Sequence, residues 1–204
     1  MNITDHFLDE ATQDIISGGG PMNIRRALVI HFTGGATGAS SIESMRERGL
    51  SVHLVVDRDG SVTQCRAFNR TAGHAGDAGK SRWVDPNTEK RYDGLNSCSI
   101  GIEIANAGND EGALKWARKQ PGFSSITAKH RNGGAVVEWE NYPAAQLKAV
   151  FDISKLLVAT YKLDDVTGHD CIAPERKDDP GPAFPMEDLR VACGFTGLPQ
   201  VHRL

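Results

Sequence analysis

The sequence predicts an α/β (α+β) chain in which helices pack on a mixed central β-sheet. Three observations carry this. Short β-forming runs recur at residues 27–32, 52–66 and 99–104, one long amphipathic pattern follows Pro143, and glycine (22 of 204 residues) punctuates the segments between. Strands interleaved with helices suit a sheet with helices on its faces, and the length suits one domain with extensions.

Taken in order, Ile3, Phe7, Leu8, Ala11, Ile15 and Ile16 recur at near-helical spacing, which predicts an amphipathic helix over 3–16 that Gly18-Gly19-Gly20-Pro21 ends. Residues 27–32 read as a strand buried on both faces, and Thr33-Gly34-Gly35 breaks it. His31 therefore sits near the strand's carboxyl end, where α/β sheets place ligands. Ser40 or Ser41 caps a helix to about Arg48, stopped by Gly49. Residues 52–56 and 61–66 flank Asp57-Arg58-Asp59-Gly60, a hairpin signal. Residues 69–97 read as a long loop. In the strand 99–104, Ile100, Ile102 and Ile104 share one face and Ser99, Gly101 and Glu103 the other. Residues 105–124 read as irregular. A second hairpin joins 125–130 to 135–139 around Asn132-Gly133-Gly134, and Pro143 opens the longest helix, to about Tyr161. Thr167 to Pro185 reads as a loop crowded with His, Asp, Lys and Pro.

Composition excludes several classes. With 23 basic against 26 acidic residues, net −3, no whole-domain basic surface for nucleic acid exists. No apolar run approaches the ~20 residues of a membrane-spanning helix. Asp5, Asp9, Glu10 and Asp14 precede the first basic residue, Arg25, which is unlike a secretory signal, so synthesis in the cytoplasm without a signal peptide is expected. Cys65, Cys98, Cys171 and Cys193 form no CxxC pair, which argues against a thiolate zinc knuckle and for four reduced thiols.

Two imidazoles and one carboxylate make a common catalytic zinc set, and His31, His169 and Asp179 offer one, Asp179 lying ten residues after His169 across a proline-stiffened loop. Spacing alone leaves the alternative open that His31 is a hydrogen-bonded core residue. Glu103 is a carboxylate in an isoleucine-rich strand. It is either solvent-facing or a general base, with Ser99 and Gly101 beside it leaving room for a substrate. Lys177, in Glu175-Arg176-Lys177-Asp178-Asp179, is either part of a solvated loop or a clamp on a developing oxyanion.

Six stretches, in order, carry a resemblance: Leu28–Thr33, Ser51–Gln64, Gly73-His74-Ala75-Gly76, Asn96–Ile104, Tyr142–Leu147 and Gly168–Pro182. Together they resemble the zinc-dependent N-acetylmuramoyl-L-alanine amidases of the type 2 class, which share a fold with peptidoglycan recognition proteins. The resemblance covers about 25–190. It implies a catalytic domain there, with 1–24 as N-terminal helix and glycine-rich link and 191–204 as C-terminal extension. It further implies one zinc per chain on His31, His169 and Asp179, Lys177 as the transition-state lysine and Glu103 as the base, since relatives that lack this Glu carry a Tyr where Val52 stands here. His74 resembles a substrate-contacting histidine and Asn96 is a weaker candidate contact. Relatives often carry Trp where Gly73 stands, so one wall of the groove is expected to be more open.

The implied partner is bacterial peptidoglycan or muropeptides, with no nucleic acid and no membrane span. A module that only binds peptidoglycan is the rival reading, and the filled ligand and catalytic positions speak against it. The implied biology is cell-wall lysis of endolysin or exported-toxin type, acting in the envelope after non-classical delivery, with cytoplasmic muropeptide recycling as the alternative. The loops at 69–97 and 105–141, bearing Trp83, Trp116 and Trp139, are expected to line a groove for the polymer.

Overall fold

The computed structural model describes residues 1–202; positions 203 and 204, the end of the expected C-terminal extension, lie outside the described residues. In chain order the elements are β1 (Ile3–Thr4), β2 (Phe7–Leu8), β3 (Thr12–Gln13), β4 (Ala27–Phe32), α1 (Gly38–Glu47), β5 (Leu54–Val56), β6 (Val62–Gln64), β7 (Arg82–Val84) and β8 (Arg91–Asp93). After a 3-10 turn (Leu95–Ser97) come β9 (Ser99–Ile104), α2 (Glu111–Ala117), β10 (Ser125–His130), β11 (Gly133–Glu140), α3 (Ala144–Tyr161), β12 (Asp165–Gly168), α4 (His169–Ile172) and α5 (Met186–Ala192).

The central sheet has six strands in the order β12-β4-β9-β5-β6-β3, parallel except where the tight hairpin makes β5 and β6 antiparallel. The period-2 alternation of strands sorts its faces. Leu28 and Ile30 of β4, Ile100, Ile102 and Ile104 of β9, and Leu54 and Val56 of β5 form one core with Val150, Ile153 and Leu157 of α3. The opposite face carries Ala27 and Val29, packed with Trp83 and Leu95, and then His31. The face that α3 leaves uncovered is therefore the face on which β4 and β9 present His31 and Glu103, directly opposite each other in register.

Several sequence expectations change. Residues 3–16 are not a helix. Asp5 and His6 adopt left-handed dihedrals (φ 48° and 68°) in the tight turn between β1 and β2, and β3 pairs in parallel with β6 at the sheet edge. Thr4, Asp5, Asp9, Thr12 and Asp14 weaken the helical option, and the Gln64 side chain, accepting from the Leu8 amide (2.7 Å), ties the segment to the sheet instead. The cap of α1 is Thr37, whose side chain accepts from the Ser40 amide; Ser40 returns the bond, so it sits at the third helical position of a capping box rather than at the cap.

The 69–97 loop contains the β7–β8 hairpin, and 105–124 contains α2, capped by Asp110, whose side chain accepts from the Ala113 amide. The 167–185 segment begins inside β12, a strand too short and too polar (Asp-Val-Thr-Gly) to announce itself. Trp83 and Trp139 are buried and Trp116 is half-buried under Arg58; of the three expected to line a groove, Trp139 lines a cavity beside Arg176 and Lys177. The four cysteines are free thiols.

Candidate metal centre and groove

The pairing of β12 with β4 assembles the site. Gly168 lies opposite Ile30, so the next residues, His169 at the start of α4 and His31, arrive side by side although 138 positions separate them. Asp179 returns along the loop after α4: its carbonyl accepts from the Asp170 amide (2.8 Å), and its Oδ2 lies 2.9 Å from His31 Nδ1 and 3.0 Å from His169 Nδ1. The two imidazole Nδ1 atoms are 2.9 Å apart, and all three residues are buried. Asp178 faces elsewhere, accepting from Asn109 Nδ2 (3.0 Å).

The hydrogen-bond chain behind His31 assigns its tautomer. His74 Nε2 reaches the Ser99 carbonyl (3.3 Å), a pure acceptor, so that nitrogen carries the proton. His74 Nδ1 then accepts from His31 Nε2 (2.9 Å), which leaves His31 Nδ1 with a bare lone pair aimed at Asp179 and His169. The bare His31 Nδ1 and the Asp179 carboxylate converge with His169 Nδ1 on one buried point, a set that a cation satisfies, and metal-bound histidines are held in this way by the partner of their other nitrogen. The cluster fits a metal ion on donor type, convergence and support.

Burial pulls the His169 imidazole down to about 4, keeping it neutral as a ligand must be. Burial likewise holds His74 well below its usual value, helped by the neighbouring His31. For Asp179 burial alone acts upward, but the His169 and His31 contacts outweigh it and hold the carboxyl well below the usual carboxylate range.

Glu103 and Lys177 line one cavity of about 570 Å³ with His74, His169 and Asp179. Glu103 is half-buried, and among the described residues its Oε2 has no hydrogen-bond partner. Burial pushes its carboxyl up to about 7; the charge of Asp179 adds to this while His31 and Lys177 oppose it. Lys177 is exposed at the cavity edge. The space over Gly101 is taken by the His74 ring, which a side chain at Gly101 would approach to 2.5 Å, so glycine is what lets that ring reach His31, while Glu103 itself faces the cavity. Val52 is buried in an apolar cluster with Ile16 and Ile42.

Asn96, a candidate substrate contact, is committed to its own loop. Its Oδ1 accepts from the amides of His74, Ala75 and Gly76 (3.0, 2.7 and 3.0 Å), which shapes the Gly-His-Ala-Gly turn. Sequence reasoning missed Arg176, hidden in a charge run that reads as solvated loop. Its Nε donates to the Lys80 carbonyl (2.7 Å), and its Nη2 donates to the Ala75 carbonyl and lies 3.3 Å from His169 Nε2. It also missed the hairpin's grip on α4: Asn132 Nδ2 donates to the Asp170 carbonyl (2.7 Å), and His130 Nε2 meets the Asp170 carboxylate (3.2 Å).

Residues 20–182 match the family model described as N-acetylmuramoyl-L-alanine amidase. The chain is 29% identical to the N-acetylmuramoyl-L-alanine amidase AmiD of Escherichia coli K12 over 88% of its own length and 56% of that protein's. It is 31% identical to the 1,6-anhydro-N-acetylmuramyl-L-alanine amidase AmpD of Salmonella typhimurium SL1344 over 72% of its own length and 59% of the relative's. Among solved structures it resembles E. coli AmiD in complex with the substrate anhydro-N-acetylmuramic acid-L-Ala-D-gamma-Glu-L-Lys, with TM-score 0.61 and 27% identity, covering 85% of this chain and 58% of that one. The chain thus spans less than two thirds of the length of each of these relatives. No helix among the described residues is long and apolar enough to cross a membrane.

Proposed function

Because the chain belongs to the N-acetylmuramoyl-L-alanine amidase family, we propose that it hydrolyses the amide between N-acetylmuramic acid and the L-alanine of the stem peptide. His31, His169 and Asp179 hold one zinc ion in this reading. The observation that carries it is the convergence of His31 Nδ1, His169 Nδ1 and the Asp179 carboxylate on one buried point beside the cavity that Glu103 lines. Bound zinc supplies Lewis acidity toward the scissile carbonyl and lowers the pKa of water there toward ~7.

Glu103 stands one strand from His31 on the same sheet face and lines the cavity with His169 and Asp179, which places its carboxylate to accept a proton from the attacking water. Burial keeps that carboxyl basic enough to hold the proton and then to return it to the departing alanine nitrogen. Lys177 brings a positive charge to the cavity where the carbonyl oxygen becomes an oxyanion. His74 orients His31 and lines the cavity, where it contacts substrate.

The substrate in the AmiD complex has a γ-linked glutamate, which leaves that residue's α-carboxylate free, and the peptide arm of such a substrate ends in a second carboxylate. An anionic peptide arm on a muramic acid is the substrate class we propose here. Purified chain incubated with sacculi and with soluble anhydromuropeptides, with and without chelator, tests the reading by product mass. Free stem peptide appearing only without chelator is the expected result; intact amide in both substrates overturns it. Turnover of sacculi supports the envelope as the place of action, and turnover of the small fragments alone supports cytoplasmic recycling.

A further inference from the structure

The β10–β11 hairpin forms a two-stranded sheet of its own, outside the central sheet. It nevertheless touches both of the segments that carry His169 and Asp179. At its base, Trp139 packs against Gly181, two residues after Asp179, where a Cβ would lie 2.7 Å from the indole ring. Near its tip the register shifts between Lys129 and His130, and such shifts re-aim side chains. His130, Arg131 and Asn132 then each reach α4, the turn that begins with His169.

Helix α4 cannot fix its own position. It is one turn long, and its N-cap is Gly168, which offers no side-chain oxygen. So short a helix is unstable by itself. Within a helix the Asp170 carbonyl would accept from the amide four residues on, but that residue is Pro174, which has no N–H. Asn132 Nδ2 supplies the missing donor, at 2.7 Å. The Asp170 amide in turn donates to the Asp179 carbonyl (2.8 Å). The backbone of Asp170, next to His169, thus links the hairpin tip to the loop that carries Asp179. His130 adds a second hold. Its Nδ1 accepts from the Asn132 amide (3.1 Å), so its Nε2 carries the ring proton and donates to the Asp170 carboxylate (3.2 Å). Arg131 donates to Cys171 Sγ (3.3 Å) and to the Pro199 carbonyl (3.2 Å).

We propose that the tip of the β10–β11 hairpin is a positioning device for the metal centre, with Asn132 as its principal positioning residue: by filling the donor position that Pro174 leaves empty, it fixes α4 so that His169 Nδ1 meets His31 and Asp179. His31 needs no such device, because β4 lies inside the central sheet and His74 holds its ring. Asn132 is not among the residues lining the cavity that Glu103 faces, so its effect passes through the backbone of Asp170. The inference rests on the amidase reading only for the identity of the metal as zinc.

The test is the zinc affinity of the full chain, read by competition with a chromophoric chelator, beside amide hydrogen exchange of the metal-free protein. Asn132→Ala should weaken zinc binding about tenfold, the lower end for groups that support a metal ligand from behind. In the metal-free variant the Asp170 amide should exchange faster while the amides of β4 and β9 keep their wild-type rates, which separates a local loosening from a loss of global stability. Val136→Ser, on the exposed side of the same hairpin, should change neither reading. If Asn132→Ala does not fold, Arg131→Ala, at an exposed position, carries the test with the same two signs. Wild-type zinc affinity in the folded variant, an unchanged Asp170 amide, or faster exchange spread evenly over the core would each overturn the proposal. A wild-type chain that takes up no zinc would overturn it together with the metal reading. Failure of the amidase reading alone shows separately, as a zinc-loaded chain that leaves muropeptide uncleaved in the mass assay.

Discussion

At the residue scale, the division of labour between ligands and catalytic groups is open to substitution. Glu103→Gln keeps the shape of the side chain but removes the basic carboxylate. It is expected to retain metal while losing about 10²–10⁴ in rate, the usual worth of a general base. Lys177→Ala is expected to cost about 10²–10³ in kcat with metal retained, as for loss of one oxyanion stabiliser. His31→Ala removes the lone pair that the Ser99–His74 chain aims at the cluster, so metal content should fall from about one zinc per chain toward zero. Metal analysis beside kinetics separates these variants, and full activity in Glu103→Gln would move the base role to another group. The sequence offered His31, His169, Asp179, Lys177 and Glu103 as candidates through the ordered set of family motifs, no one of which decides alone, and the structure gathers them around one cluster and its cavity. Arg176 and His53 were not legible in the sequence. His53 is fully buried, accepting from the Gly101 amide (3.0 Å) and donating to the Arg70 carbonyl (2.9 Å), and such roles depend on partners 48 and 17 positions away.

At the scale of elements, the site depends on loops being held against the sheet. Glu140, at the end of β11, pairs with Arg58 of the β5–β6 turn and accepts from the Ala107 amide (2.7 Å) ahead of α2. One nearly buried carboxylate thus joins three elements. Glu140→Ala leaves Arg58 and the amide unpaired and is expected to cost about 3–5 kcal/mol, read as a lower urea midpoint at unchanged slope. The hairpins at 52–66 and 125–140 and the long α3 were legible because their turn residues and periodicity are local. The 3–16 segment was misread because its apolar spacing suits a helix equally well, while the edge of β6 that recruits β3 lies 51 positions away, Thr12 opposite Thr63. Strand β12 escaped notice because four residues carry no period.

At the scale of the whole molecule, two stability effects follow. His53 is neutral in the fold, burial pulling it from 6.5 down to about 4. The unfolded chain takes up a proton near 6.5 and the native chain does not, so this contribution is complete above 6.5 and is lost as pH falls from 6.5 toward 4. It amounts to about 3 kcal/mol at most, from about 1.4 kcal/mol per pKa unit. Melting temperature should fall across that window, and the His53 ring signals should not titrate above pH 5; titration near 6.5 would remove the effect. Metal binding only to the native state adds stability by mass action, about 4 kcal/mol at a thousandfold excess over Kd. Chelation should therefore lower the melting temperature by roughly 10 °C for a domain of this size.

The sequence by itself determined the strand that ends in His31, the alternation that puts Glu103 opposite the isoleucines, and the ordered motifs that identify the family. All of these are local patterns, set by the period of a strand or the chemistry of a turn. Only the tertiary structure decided that β12 lies beside β4 and that the ring of His74 fills the space over Gly101. Those are long-range juxtapositions. Strand order and side-chain packing are set by the whole core at once, so no window of sequence contains them.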